Sequence, residues 1–341
     1  MKLLYHGPLW QGSTSLQRAQ AFQELSDIQV IANDDGHRVG KSANIIHRIR
    51  WKLRWPVDVN HENESLFVAV EQHRPDIIFV DSSKVIRRCT LRNIRALCEA
   101  RLVYYTPDDI MARHHFSYPL RQTFPDWDVF FTTKTFNVPE LKAAKVNNPI
   151  LVGKSFDPML HNPMLSIDVG EEFEAFDIVF IGAYEKDRCQ SINRLAEAGL
   201  RIVLYGSGKG RWSGKSMHPS ITLRPSVFAE EYRRCWHHGK VALCFLRKIN
   251  RDRITQRTME IAAMARPMLA EKTDEHDDHF VDGKEYIGFR DDDDLVTQAR
   301  WLLQHDEERT KIGHAGRLRC LNSNYSSLDR ARWMLRKILE K

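Results

Sequence analysis

The stretch from Arg247 to Glu271, RKINRDRITQRTMEIAAMARPMLAE, brings bases, carboxylates and a helix start into one strand-to-helix junction. An apolar run of strand length, KVALCFL (240–246), precedes it. A helix striped with Met259, Ala262 and Ala263 follows, and then a second short strand, RPMLAE (266–271). In open α/β sheets, ligands sit outside the carboxyl ends of the strands. Arg247, Lys248, Arg251 and Arg257 would therefore line an electropositive mouth, with Glu260 one turn inside the helix. Helix N-termini bind anions through free backbone N–H groups, and guanidinium groups add charge-assisted, bidentate bonds. A diphosphate suits such a mouth. Arg257 and Glu260 are three apart and share a helix face, so the carboxylate can accept from the two hydroxyls of a ribose. Asp252 stands eight residues before Glu260. The same residues also fit an ordinary surface ion pair among solvated bases.

Two features of the first half invite similar weighing. GPLWQGSTS follows the first strand and opens a helix; around Gly7, Gly12 and Ser13 it can turn backbone N–H groups toward an anion, although it lacks the G-x-G-x-x-G order. Asp108 and Asp109 follow the strand LVYYTP, where an acid can orient or deprotonate a hydroxyl nucleophile. Turn chemistry alone would also account for both.

Other strings carry less. GSGKGRWSGKS (206–216) has Lys209 where a Walker loop needs glycine, which argues against a triphosphatase and leaves a glycine-rich turn at Gly206. The acids Asp291 to Asp294 open a helix and read as its N-terminal cap rather than a metal cluster. Glu275, His276, Asp278 and His279 have ligating side chains but no supporting strand context, so a solvated loop or short helix is expected there.

The elements that must position these residues recur along the chain. Strand-like runs at 2–7, 28–34, 75–81, 102–109, 128–134 and 149–153 alternate with helical stretches, and the scheme repeats at 177–184, 201–206, 221–225, 240–246, 266–271 and 285–291. Such alternation implies parallel sheets, and two doubly wound Rossmann-like domains are the economical answer. The expected organisation is a first domain at 1–155, a proline-rich and then acidic linker at 156–176, a second domain at 177–325, and a last helix at 326–341.

At 341 residues and 42% hydrophobic, the chain has material for two cores. Six cysteines without C-x-x-C spacing, and a start that enters a strand without a secretory pattern, are what a reduced, cytoplasmic protein would show. No apolar run reaches membrane-spanning length. The net charge of +6 is modest for a nucleic-acid enzyme of this size. Six of its bases fall between His37 and Trp55, without an acid and interleaved with Ile45, Ile46, Ile49, Trp51, Leu53 and Trp55. That segment reads either as an amphipathic helix lying on an anionic membrane surface or as one packing its isoleucines on a sheet.

The run KVALCFLRKINRDRITQRTMEIAAMARPMLAEKTDEH, with FVDGKEYIGFRDDDDLVTQARWLL and ERTKIGHAGRLRC, resembles the carboxyl-terminal domain of the CgeB-type (spore-maturation-like) glycosyltransferases. MKLLYHGPLWQGSTSLQRAQAF, YYTPDD and FIGAYEKDR extend the likeness over nearly the whole chain, and R-x-x-E within TQRTMEIAA is its most specific element. The resemblance implies a GT-B fold, related to the group 1 and family 4 glycosyl transferases, with two Rossmann-like domains facing a cleft and a last helix returning to the first. It implies a UDP-, GDP- or dTDP-linked sugar donor on the second domain and no cofactor or metal. The hydroxyl acceptor, a glycan, lipid-linked molecule or protein, would be held by the first domain. Donor-binding positions carried over are Gly7, Gly12, Ser13, Gly182, Lys186, Arg188, Gly206, Arg247, Asn250, Asp252, Thr255 and Glu260, with Asp108, Asp109, Arg257 and Lys248 as catalytic groups. Family enzymes carry an acid-x7-Glu pair here; this chain has Asp252 at the first position. Nucleotide-sugar epimerisation or hydrolysis, and non-catalytic nucleotide-sugar binding, are alternatives on the same fold.

Overall fold

A computed structural model describes residues 1–36, 44–206, 212 and 217–340, in two compact units: Met1–Gly153 with Ser327–Lys341, and Lys154–Ser326. The first unit holds a sheet of β1 (Lys2–Gly7), β2 (Gln29–Asp34), β3 (Ile77–Asp81), β4 (Arg101–Thr106), β5 (Val129–Thr132) and β6 (Pro149–Leu151), in the order β2-β1-β3-β4-β5-β6. Its helices are α1 (Thr14–Gln23), α2 (Ile45–Lys52), α3 (Glu62–His73), α4 (Arg88–Leu97), α5 (Tyr118–Thr123) and α6 (Asn137–Ala143). All strand pairs are parallel, so every strand delivers its carboxyl end to one edge of the sheet.

The second unit opens with the short α7 (Ser166–Val169). Its sheet comprises β7 (Phe176–Ile181), β8 (Ile202–Tyr205), β9 (Ile221–Arg224), β10 (Gly239–Cys244), β11 (Met268–Glu271) and β12 (Ile287–Phe289). The helices α8 (Lys186–Glu197), α9 (Ala229–Cys235), α10 (Gln256–Ala263), α11 (Asp274–His279), α12 (Asp292–Gln304) and α13 (Asp306–Asn322) complete it. This sheet too is wholly parallel, ordered β12-β11-β10-β7-β8-β9. From the middle outward, β7, β8 and β9 run one way and β10, β11 and β12 the other. The topological switch therefore lies between β7 and β10, where a doubly wound sheet opens a crevice.

Alternation along the strands fills both faces. Ile178 and Phe180 of β7 join Val241 and Leu243 of β10 on one side, while Val179, Ile181, Ala242 and Cys244 face the other. Fully burying an aliphatic or aromatic side chain of this kind contributes about 1.5–3 kcal/mol. The last helix, α14 (Ser327–Leu339), buries Ala331, Met334 and Ile338 in the core of the first unit beside Leu3, Tyr5 and Phe22.

Two expectations need correction. The stretch 156–176 is no free linker: it belongs to the second unit, and Phe156, His161 and Val169 are buried there. Nor does α2 pack its isoleucines on a sheet, since the helix has no buried residue; residues 37–43 of that basic segment lie outside those described.

Candidate functional site

Arg247 leaves the end of β10, and residues 248–250 form a single 3-10 turn ending at Arg251, whose φ is +46°. Buried Ile254 fixes the loop to the core. Thr255 is the N-cap of α10 and shares a capping box with Thr258, which fits the preference for hydroxyl residues at that position. Asn250 is buried and donates from Nδ2 to Oδ1 of Asp252 at 2.9 Å. Asp252 thus braces the turn that carries the bases.

Arg188 approaches from the other side of the switch point. It lies in the first turn of α8, buried, and donates from Nη1 to the Ala183 carbonyl (3.2 Å) and from Nη2 to the Leu246 carbonyl (2.8 Å). It thereby ties the loop after β7 to the end of β10. Its Nε is buried without a hydrogen-bond partner, and so is Nε of Arg257. Burial lowers the Arg188 pKa; Glu185 opposes this, while the charges of Arg257 and Arg247 push the same way as burial. Both charges thus bear on Arg188 beside two unmet donors, while Tyr232 and Glu260 favour the charge of Arg257. Unmet buried donors are uncommon and costly in folded proteins.

Acids partly balance the cluster. Glu185 accepts from Arg247 Nε at 3.1 Å and lies 3.7 Å from Arg188, while Asp187 accepts from Lys248 Nζ at 2.7 Å. An open cavity of about 560 Å³ extends beside them, lined by Glu185, Arg188, Leu246, Lys248, Glu271 and Asp292 among others. Burial raises the Glu271 pKa, with Lys248 and Arg188 opposing. Lys186 is exposed at the start of α8, whose N-cap Glu185 makes no side-chain capping bond.

Glu260 sits within α10, nearly buried. Tyr232 of α9 donates its hydroxyl to Oε2 of Glu260, and His161 Nε2 faces Oε1 from 4.0 Å. His161 Nδ1 accepts from the Asp157 N–H at 2.9 Å, so the neutral ring carries its proton on Nε2, toward the carboxylate. The positive end of this site is crowded with cations; the other end is a carboxylate set by an aromatic hydroxyl and a histidine.

Gly182 and Gly206 mark the ends of β7 and β8. Gly206 has φ +144°, and a Cβ there would fall 2.1 Å from the Gly182 carbonyl, which itself accepts from buried Trp212 Nε1 at 3.0 Å. Only glycine fits that approach. Apart from Trp212, residues 207–216 are outside those described.

In the first unit several of the expected residues also serve the fold. A Cβ on Gly7 would meet Asp81 Cβ and Ser15 Oγ, each at 2.9 Å, so glycine here permits close packing on β3. Gly12 has φ +94°. Ser13 caps α1, accepting from Leu16 N–H at 3.0 Å and donating to the Pro8 carbonyl at 2.6 Å. Asp109 is fully buried, and its Oδ1 accepts from the N–H groups of Met111 and Ala112 and from Asn137 Nδ2. Of the two acids, Asp108 is the one that reaches solvent, with His115 Nδ1 at 3.5 Å. Asp81, which sequence reasoning passed over, accepts from Tyr5 Oη at 2.6 Å and from Arg18 Nε and Nη2 at 3.1 and 2.7 Å. Burial disfavours the Arg18 charge, but Asp81, with Tyr105 and Tyr5, outweighs it and holds the guanidinium protonated.

The acids at Asp291–Asp294 behave as the cap expected, Oδ1 of Asp291 accepting from Asp293 and Asp294 N–H. Residues 274–279 form a helix with Glu275 and His276 buried rather than solvated. Among the described residues, no group of three His, Cys, Asp or Glu side chains could hold a metal.

Comparison with known proteins bears on this site. Residues 188–336 match the family model described as glycosyl transferase-like. No curated protein matches the chain in sequence. Among solved structures, the chain resembles the sucrose-phosphate synthase of Thermosynechococcus elongatus, with a TM-score of 0.70 at 10% identity over 99% of this chain and 98% of the other. A glycosyltransferase from Rickettsia africae gives 0.69 at 9% identity over 100% and 99%. Anabaena HepE, solved in complex with UDP-glucose, gives 0.65 at 11% identity over 99% of each chain. The fold is GT-B. Within it, Arg188, Arg247, Lys248, Arg257 and Glu260 all fall inside the glycosyl transferase-like match, and Lys186 lies two residues before it.

Proposed function

We propose that this glycosyltransferase takes a UDP-, GDP- or dTDP-linked sugar on its second unit and transfers the sugar to a hydroxyl of a glycan, lipid-linked or protein acceptor engaged by the first. The carrying observation is the pair of buried, unmet Nε donors on Arg188 and Arg257. A diphosphate oxygen supplies the acceptors they lack, and Arg247, Lys248 and Lys186 add charge around it. Glu260, oriented by Tyr232, suits the ribose diol. That HepE was solved with UDP-glucose supports a nucleotide-sugar donor. The likeness to the CgeB-type enzymes belongs to the same reading, as does a cytoplasmic location.

As the bond between sugar and phosphate breaks, negative charge grows on the leaving diphosphate. Fixed cations in the crevice stabilise that charge more in the transition state than in the ground state. In this reading side chains do what a metal does elsewhere, and no cofactor is required. Asp108, the accessible acid after β4, contacts the acceptor hydroxyl; Asp109 holds the turn behind it.

The reading is tested by calorimetry and thermal shift with UDP, GDP, dTDP and their sugars. Binding of one nucleotide, weakened in Glu260→Ala, is expected; a chain that binds none is not a donor-dependent enzyme. Product analysis without acceptor separates transfer from epimerisation or hydrolysis.

A further inference from the structure

Helix α2 stands bare on the first unit. Ile45 is 68% exposed, Ile46 59%, Ile49 51% and Leu53 62%, and the helix buries nothing. At about 100° per residue, Ile45, Ile49, Leu53 and Ile46 fall within one arc of roughly 100°. Arg50 borders that arc on one side, and Arg48 and Lys52 border it on the other. No acid occurs from Asn44 to Val57. The end of the helix is fixed to the unit: Tyr118 N–H donates to the Arg54 carbonyl at 2.9 Å, and Trp55 stacks on Tyr118 at 5.4 Å.

Beside the helix lies an open hollow of about 370 Å³, whose lining includes Trp51, Lys52, Arg54, Lys84, Arg113 and Phe116 and no acidic residue. Lys84, one of the lining residues, is held in place by donating from Nζ to His115 Nδ1 at 2.8 Å. Two features thus meet on one face: an apolar arc edged by cations, and a cationic hollow large enough for a phosphate headgroup. An interior-facing helix has the apolar arc but not its exposure. A nucleic-acid surface has the cations but no use for four bare aliphatic side chains. A bilayer of anionic lipids answers both, since apolar side chains enter the acyl boundary while bases stay at the phosphates, with tryptophans at the interface.

We infer that α2 and the adjoining hollow dock the protein on an anionic phospholipid surface, with the hollow accepting a lipid phosphate. This stands apart from the donor reading, because vesicle binding involves no sugar chemistry.

The test is co-sedimentation of the full chain with vesicles of phosphatidylglycerol and phosphatidylcholine, and with phosphatidylcholine alone. Each basic side chain at an anionic surface contributes roughly fivefold, so partition at least about a hundredfold stronger on the anionic vesicles is expected, falling at about 0.5 M salt. Ile46→Glu with Ile49→Glu should abolish it, and Arg54→Gln with Arg113→Gln should weaken it, with circular dichroism and melting temperature unchanged. Equal binding to neutral vesicles, or undiminished binding by either folded variant, overturns the proposal. So does a chain that ignores vesicles but is dimeric until Ile46 and Ile49 are replaced, because a second copy then covers the helix. Binding to duplex DNA in place of vesicles overturns it as well.

Discussion

The Tyr232 hydroxyl and the Glu260 carboxylate are joined by a hydrogen bond that links α9 to α10. In the proposed reading Glu260 meets the ribose, and a carboxylate held in this way loses little freedom on meeting its ligand. Glu260→Ala should raise the donor KM by roughly ten- to a hundredfold, on the scale of charge-assisted hydrogen bonds, with a smaller change in kcat. Tyr232→Phe should raise it several-fold by the same route. Steady-state kinetics against donor concentration decide the matter: an unchanged KM in Glu260→Ala removes the ribose assignment.

Arg257 is expected to behave differently. In the proposed reading it stabilises the leaving diphosphate in the transition state, so Arg257→Ala should lower kcat by about a hundred- to a thousandfold. Arg257→Lys keeps the charge but loses the planar fork, and should recover only part of the activity. Tyr232 and Glu260 favour the Arg257 charge against its burial, so the melting temperature without ligand should fall only modestly in Arg257→Ala and hold in Arg257→Lys. A large fall in stability would show that Arg257 is structural.

His276 gives a pH signature. It is buried, with Nδ1 donating to the Glu271 carbonyl at 2.8 Å and Nε2 accepting from Thr258 at 3.0 Å. Burial lowers its pKa from 6.5 to about 4. The unfolded chain then binds the proton better between those values, so stability is complete above pH 6.5 and declines as pH falls toward 4. The loss is on the order of 3 kcal/mol at most, at 1.36 kcal/mol per pH unit. His237, lowered to about 3 by burial, acts with the same sign. Thermal melts from pH 7 to pH 4 should show the decline, and His276→Gln should flatten it.

The Arg18 and Asp81 pair anchors the first unit. Arg18→Ala leaves a buried carboxylate with only hydroxyl donors from Tyr5 and Ser82; breaking such a pair costs about 3–5 kcal/mol. Replacing both partners, Arg18→Met with Asp81→Asn, should return much of that. Urea unfolding of the single and double variants measures the difference, and additive losses would mean that the two residues do not depend on each other.

What could be read from the residues follows from how local each signal is. All twelve strand-like runs are strands, because each is a short apolar segment between turn signals and announces itself. Arg188, Arg247 and Arg257 come together at the switch point because strand order, set by crossover handedness and sheet pairing, places the ends of β7 and β10 side by side. Glu185, Tyr232, His161 and Glu271 were not legible as site residues. Each belongs through a contact distant in sequence, His161 reaching Glu260 across 99 positions, and no spacing rule encodes that. The acids after β4 show the opposite failure: Asp108 and Asp109 look alike in the sequence, and only burial assigns one to the turn and leaves the other open.

The course of the chain also has a consequence for its biosynthesis. Residues 1–153 are made before the second unit, yet their own unit is completed by Ser327–Leu339, whose Ala331, Met334 and Ile338 close the same apolar cluster as Leu3, Tyr5 and Phe22. The second unit is continuous in sequence and can finish while synthesis proceeds. The first must wait with an uncovered apolar face until the last helix leaves the ribosome. Its dependence on chaperones is therefore concentrated in the first unit, and a premature stop between Ser326 and Ala331 would leave a well-formed second unit attached to an unfinished first.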